Sequence, residues 1–333
     1  MIHFLVGPAG GFTHWCEDVI AGAMRRHCAA VDVVHASTAR ELGEGLLRSR
    51  GRSALIVLDQ ASGALYSAMR ESGRKLVVVQ ADPLSALFEH MQKDGAGLAG
   101  AVRAVASGYA TLPSFMSLPN ALMLKPPADA AKVAAILDHL GLGPAPAALA
   151  PPSGQAGDLF GWWNSLGTAA QTMIAGAFNP ASQSPASFDW APGLFWTEDS
   201  PSKPATGPID ITGRARCLLA GPAILLPLGR WRLSLGLAFS EMAAGHVFQL
   251  ELSAGTILAV ENLCPLTAGE MEVHFVFAIG DNGPVSVRLL LQRAAFDGTV
   301  QLAGARVMAL GEGTVANALD LGSSAAVRLV QAR

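Results

Sequence analysis

Gly7, Gly10, Gly11 and Thr13 crowd the stretch between an apolar run, residues 2–6, and an amphipathic run that begins at His14. A strand, a glycine-rich turn and a helix start, in that order, form a cradle of backbone N–H groups suited to an anion. Phosphate chemistry needs more than the cradle. A lysine beside the last glycine ordinarily balances the charge, and Phe12 stands in that place. The next cations are Arg25 and Arg26, roughly 15–20 Å farther along a helix rising about 1.5 Å per residue. These residues predict a nucleotide-binding shape that has lost its chemistry.

Each candidate carries two readings. Gly7, Gly10 and Gly11 either bind phosphate through N–H groups alone or make a tight strand-to-helix connection, the reading favoured here. Thr13 would serve a magnesium ion only beside the lysine that is missing. His14 is placed either as a base reaching the cradle or as a residue that packs or caps at the helix start. Asp59 and Asp82 follow the ends of two expected strands, the edge where doubly wound sheets take ligands. There they act as base or metal ligand, or they cap the helices that follow, which is preferred. Farther on, Arg230 and Trp231 either form a stacking platform for a sugar ring or belong to a core. Trp190 and Trp196, set among prolines, read as glycan or partner contacts, since Trp anchors interfaces.

The elements that must position these groups change along the chain. Up to residue 142, apolar strands at 2–6, 31–35, 54–58, 75–79 and 120–124 alternate with helical segments at 14–27, 38–49, 62–73, 83–93, 95–109 and 128–140. Ser37-Thr38 ahead of Glu41 signals a capping box, and Asp82-Pro83 opens another helix. This pattern predicts an α/β domain of three layers around a parallel sheet. Residues 143–208 form an expected Pro/Trp-rich linker. Within it Leu159, Trp163, Leu166, Ala170, Met173 and Ala177 make an apolar stripe on a helix over 158–178. No Lys or Arg accompanies the stripe, so docking onto a domain or subunit is expected, not a membrane surface. From 209 to 333 the apolar period becomes two, with strands at 233–237, 247–252, 273–277, 285–289 and 300–302. Turns at 281–284 and 297–298 separate them, which predicts an all-β sandwich.

Composition narrows the function. A net charge of −3 with 15% charged residues argues against a nucleic-acid partner. No apolar run reaches the roughly eighteen residues of a membrane span, and no secretory leader is evident. Cys16, Cys28, Cys217 and Cys264 show no CxxC spacing, so buried free thiols, no metal, no cofactor and a cytoplasmic location are expected.

The N-terminal half resembles the P-loop sulfotransferases in element order over about 140 residues. The loop over 7–13, the strand end Gln80-Ala81-Asp82-Pro83 and the close at Leu140-Gly141-Leu142 carry the likeness. In that family a basic residue stands in the loop and an arginine precedes Asp-Pro. Here Phe12 and Ala81 replace them, which implies a degenerate donor site, because a charge-assisted hydrogen bond is worth about 1.5–3 kcal/mol and each missing cation forfeits one. The C-terminal half is similar to the jelly-roll domains of carbohydrate-binding modules and polysaccharide-associated proteins. Residues 221–233 match their Gly-Pro, apolar strand, Pro-x-Gly-Arg-aromatic opening, which implies a hairpin.

The expected protein is therefore α/β plus all-β and non-catalytic. It would be a scaffold or glycan-binding regulator in bacterial-type cell-surface polysaccharide assembly, working with other subunits as a homo-oligomer or in a complex. Two rivals stay open. One is an active sulfuryl- or glycosyl-group transferase that holds its donor by backbone amides and uses His14, Asp59 or Asp82. The other is a structural protein that self-assembles, consistent with a mean hydropathy of +0.36.

Overall fold

A computed structural model describes residues 1–8, 10–59, 63–94, 97–143, 156–178, 186–280, 283–310 and 326–331. The chain divides into two compact units, Met1–Ser165 and Leu166–Arg333.

In the first unit, β1 (Ile2–Val6), β2 (Val31–Ala36), β3 (Ser53–Leu58), β4 (Leu76–Val79) and β5 (Ala121–Leu124) form one parallel sheet in the order β2-β3-β1-β4-β5. The near-continuous apolar strands follow from helices on both faces. Leu5, Leu55, Val57, Val77 and Val79 pack beneath α1 (Gly11–His27) and α6 (Ala130–Leu140). Phe4, Ile56, Leu58 and Val78 face α2 (Ala39–Arg48), α3 (Gly63–Ser72) and α5 (Leu98–Met116). The chain leaves β1 toward β2 on one side and leaves β4 toward β5 on the other. The carboxyl ends of β1 and β4 therefore flank the point where strand order reverses. Helices α4 (Pro83–Asp94) and α7 (Ala156–Ser165) meet through Phe88 and Trp162, ring centroids 5.4 Å apart.

Helix α1 begins at Gly11, earlier than the pattern indicates, so the glycine turn spans only residues 7–10 and His14 lies a full turn inside the helix. Thr38 and Glu41 complete the expected capping box. Helix α5 runs past residue 109 to Met116 and accommodates Pro113 near its end.

The second unit is a two-sheet antiparallel sandwich. Its strands are β6 (Ser187–Trp190), β7 (Trp196–Thr197), β8 (Ser200–Pro204), β9 (Ile209–Asp210), β10 (Arg216–Ile224), β11 (Gly229–Phe239) and β12 (Phe248–Ala254). They continue as β13 (Thr256–Leu263), β14 (Gly269–Ile279), β15 (Val285–Leu291), β16 (Thr299–Ala309) and β17 (Ala326–Gln331). One sheet runs β13-β12-β15-β10-β7-β8 and the other β17-β14-β11-β16-β6, with β9 added on β16. The core lies between them, where Leu219, Leu250, Leu289, Leu233, Phe275 and Val307 are wholly buried.

Three expectations are corrected. The stripe over 158–178 is two helices, α7 and α8 (Thr168–Ala177), broken at Gly167, whose extended backbone starts α8; glycine is a poor helix former. Helix α8 packs on β6 so closely that a Cβ at Gly176 would lie 2.4 Å from the Asp189 carbonyl oxygen. Strands β6, β7 and β8 occupy part of the stretch read as linker; β6 and β8 are short edge strands, β7 lies between β10 and β8, and nearby prolines obscure all three. Finally, residues 221–233 do not form a hairpin: β10 belongs to one sheet and β11 to the other, so the chain crosses the sandwich between them. Residues 281 and 282 of the expected 281–284 turn lie outside the described residues.

Candidate functional site

The carboxyl edge of the parallel sheet holds most of the N-terminal candidates, and each has a partner inside the unit. The Gly7 N–H donates to the Leu58 carbonyl at 3.2 Å. A Cβ on Gly7 would approach Val79 Cβ to 2.8 Å and the Val79 oxygen to 3.0 Å. Glycine is required there by the contact of β1 with β4, whether or not a ligand binds. Gly10 is extended at the start of α1, and its carbonyl accepts from the His14 N–H at 2.9 Å. The Thr13 side chain is buried and its hydroxyl donates to the Pro8 carbonyl at 2.7 Å, facing inward. Phe12 is buried too, stacked on Trp15 with centroids 5.5 Å apart. A buried ring thus fills the place of a loop cation.

The helix start itself is already occupied by an anion. Glu89, from α4, accepts the Gly11 N–H through Oε1, and its Oε2 lies 3.7 Å from His14 Nδ1. A carboxylate on the exposed N–H groups of a helix start satisfies them as a phosphate oxygen would. The protein supplies the charge that the cradle favours.

Asp59 and Asp82 are also engaged. Asp82 Oδ2 accepts from the Ser85 N–H at 2.9 Å and the Ser85 hydroxyl at 3.1 Å, so it caps α4. Asp59 Oδ2 lies 3.3 Å from His35 Nδ1, while Glu17 Oε2 approaches His35 Nε2 at 3.6 Å. The two carboxylates, Asp59 foremost through its hydrogen bond, hold the His35 imidazole up to about 10, well above 6.5. His35 is thus an imidazolium at neutral pH, clamped between two anions. Tyr109 donates its hydroxyl to the Ala81 carbonyl at 2.6 Å, and burial, aided by Asp82, drives its pKa upward. Glu17, His35, Glu89 and Tyr109 escape sequence reasoning because their partners are distant in the chain. The single clue is that His35 stands at the carboxyl end of an apolar strand.

The aromatic candidates of the sandwich separate. Trp190 is 1% exposed and Trp231 2% exposed, both in the core, so neither offers a ring face to a sugar. The Trp231 indole N–H donates to the Pro227 carbonyl at 3.0 Å. Trp196 and Arg230 reach the surface in part, but on different sheets, in β7 and β11. They cannot form one platform.

A site not visible in the spacing lies on the outer face of the sheet whose six strands form a single path, β13 to β8. Register places Val260, Glu251, Arg288, Ala220 and Trp196 in one row across five strands, roughly 19 Å at the usual strand spacing. Arg288 donates to Glu251 Oε2 at 3.1 Å, and Gln249 Nε2 donates to Glu251 Oε1 at 3.2 Å. The Gln292 Nε2 in turn donates to the Gln249 side-chain oxygen, Oε1, at 2.5 Å. The result is a chain of amides, a carboxylate and a guanidinium that runs along β12 and crosses from it at either end, with an indole at one margin of the sheet. Glu198 accepts the Cys217 N–H at 3.0 Å beside Arg288, and burial foremost pushes the Cys217 thiol up.

The outer face of the other sheet carries Ser234 Oγ 2.8 Å from His274 Nδ1, with Glu272 Oε2 3.5 Å from His274 Nε2. The order is that of nucleophile, base and acid. Acyl transfer also needs free N–H donors for the developing oxyanion, and the backbone beside Ser234 is engaged in ladders on both sides of β11.

Among the described residues no group of three or more His, Cys, Asp or Glu suits a metal ion, and no helix is long and apolar enough to cross a membrane. Of the cysteines, Cys16 and Cys217 are buried, Cys28 is half-buried and Cys264 is exposed, against the expectation that all are buried. Burial pushes the Cys16 thiol up to about 12.

No protein-family model and no curated protein matches the chain. Among solved structures, the chain is similar to BiXyn10A CBM1 in its apo form at 18% identity over 25% of this chain and 54% of that one, TM-score 0.18. It is also similar to the xylan-binding domain from CBM 22, at 15% identity over 31% of this chain and 75% of that one, TM-score 0.21. The C-terminal family 22 carbohydrate binding module of Clostridium thermocellum Xyn10B matches at 15% identity over 32% and 75% of the two chains, TM-score 0.20. The chain thus spans about half the length of the first of these. TM-scores this low carry nothing about a ligand.

Proposed function

We propose that this chain is a non-catalytic glycan-binding scaffold that holds its ligand on the outer face of the sheet running from β13 to β8. The observation that carries this reading is the Gln292–Gln249–Glu251–Arg288 hydrogen-bond chain lying in the same sheet face as Trp196. Sugar hydroxyls donate and accept at once. A row of alternating amide, carboxylate and guanidinium groups meets that need, and an indole margin suits the apolar face of a pyranose. The α/β unit contributes no donor chemistry in this reading, because Glu89 occupies α1 and Phe12 and Ala81 stand where cations would. The likeness of residues 221–233 to polysaccharide-associated sandwiches, in sequence though not in the hairpin it implies, extends the reading to cell-surface polysaccharide assembly.

Affinity electrophoresis through gels containing either a neutral β-glucan or a uronate polymer tests the reading. Retardation of the native chain should weaken roughly 10–100-fold in Kd for Arg288→Ala and for Glu251→Ala, since each leaves a charged partner uncompensated. Retention of full affinity by both variants, or no retardation of the native chain by either polymer, would sink it.

A further inference from the structure

The crossing connections of the sandwich gather at one end. Strands β11, β13 and β15 finish there, and β12, β14 and β16 begin there, as the pairs Phe248–Leu263, Phe248–Leu291, Phe239–Gly269 and Phe239–Val300 show. Three connections, residues 240–247, 264–268 and 292–298, therefore lie side by side. Each carries one large apolar side chain held out in solvent: Met242 at 58% exposure, Leu266 at 85% and Phe296 at 98%. Phe296 is the most exposed of the large apolar residues described, and Leu266 is next.

These loops are braced against one another. The Gly245 N–H donates to the Pro265 carbonyl at 2.8 Å, tying the first connection to the second. Ser240 and Thr299 exchange hydrogen bonds at 3.0 and 2.9 Å. Gly298, at φ +119, lies so close that a Cβ there would stand 2.9 Å from the Ala243 nitrogen and 3.0 Å from the Met242 carbonyl carbon. The first connection is thus fixed to the third. The apolar tips ride on a supported base.

We infer that this end of the sandwich inserts its three tips into the interfacial region of a lipid bilayer. The tips together expose on the order of 400–500 Å² of apolar side chain, short of the ~800 Å² per partner that a stable protein interface buries. A second copy seated on the tips alone would be held poorly. A bilayer needs no complementary pocket and accepts separate side chains at the boundary of headgroup and acyl chain. Charge refines the lipid class. Glu241, Glu270, Asp297 and Asp210 stand at this end with Arg293, Arg216 and Arg214, the last next to the Gly213–Ala295 bridge, and leave no excess of cations to favour an anionic surface. Zwitterionic lipid therefore suffices, and binding is insensitive to salt. The proposal is independent of the glycan reading: Gln292 alone of that reading's residues stands in these connections, at the root of the third, and none of the three tips belongs to it.

Flotation of the full chain with phosphatidylcholine vesicles tests it, at low and at high salt. The native chain should float at both. Leu266→Asp and Phe296→Asp, both at exposed positions, should each lower the partition coefficient about tenfold, and the Met242→Asp/Leu266→Asp/Phe296→Asp chain should stay at the bottom. Circular dichroism melts of the same samples check that the fold is intact. Light scattering without lipid reports the rival occupant. A native dimer that the triple substitution splits into monomers would mean a second copy covers the tips, and would overturn the proposal. So would a native chain that fails to float, or tip variants that float equally well.

Discussion

The carboxyl edge of the parallel sheet and the outer face of the sheet running from β13 to β8 both collect charged and polar side chains, but they use them differently. At the edge, hydrogen-bonding groups are turned back on the protein: Glu89 on the start of α1, Thr13 on Pro8, Tyr109 on Ala81, Asp82 on α4. On the sheet face Arg288 reaches Glu251 across neighbouring strands and Gln249 reaches it along β12, so donors and acceptors are aligned while part of the network remains in water. The first arrangement stabilises a fold, and the second is the one proposed to take a ligand. A site is recognised by the hydrogen bonds it has left over more than by the residue types it contains.

The contrast is broken most severely at Gly7. If the glycine serves packing between β1 and β4, Gly7→Val should cost about 3 kcal/mol by overpacking, read from the urea midpoint of the α/β unit's transition, with polymer retardation unchanged. An unshifted midpoint would return the glycine to ligand binding. A smaller effect is expected at Glu89. Glu89→Ala frees the Gly11 N–H and should lower stability by about 1 kcal/mol, the worth of a charged cap. It should also introduce a rise of melting temperature with added inorganic phosphate that the native chain lacks. Phosphate stabilising both proteins equally would show that the carboxylate does not block the cradle.

The smallest effect sharpens the picture through pH. His35 carries a raised pKa, so its stabilisation is fully present below the unfolded value of 6.5 and is lost as pH climbs through about 10. Because the ring is 47% exposed, solvent screening leaves its contribution at about 1 kcal/mol or less. His35→Gln should flatten the fall in stability between those two pH values. An identical slope in the variant, measured by urea melts across the alkaline range, would remove the clamp from the account.

How much of the molecule is legible in its sequence depends on the range of the forces involved. The five parallel strands read well because burial on both faces leaves apolar runs that nothing else explains; the expected strand at 54–58 is Ser53–Leu58 here. Thr38 and Glu41 read well because a capping box is local. Strands β6, β7 and β8 do not, since short strands set among prolines at or next to a sheet edge look like linker until the partner strand is known. Trp190 misleads for a related reason: neighbouring prolines say little about which face of a strand is inward. Glu89 is invisible because it meets Gly11 across 78 residues, and no spacing rule reports such a contact. The Glu251–Arg288 pair spans 37 residues and depends on strand order in the same way.

Glu89 has a bearing on how this unit behaves as its surroundings change. Any molecule that binds only the folded form of a protein firms it by mass action, so many nucleotide-binding domains stiffen and slacken with metabolite supply. A tethered side chain has a constant local abundance. With its own acid seated on α1, the α/β unit is expected to hold the same resistance to unfolding in scarcity and in plenty.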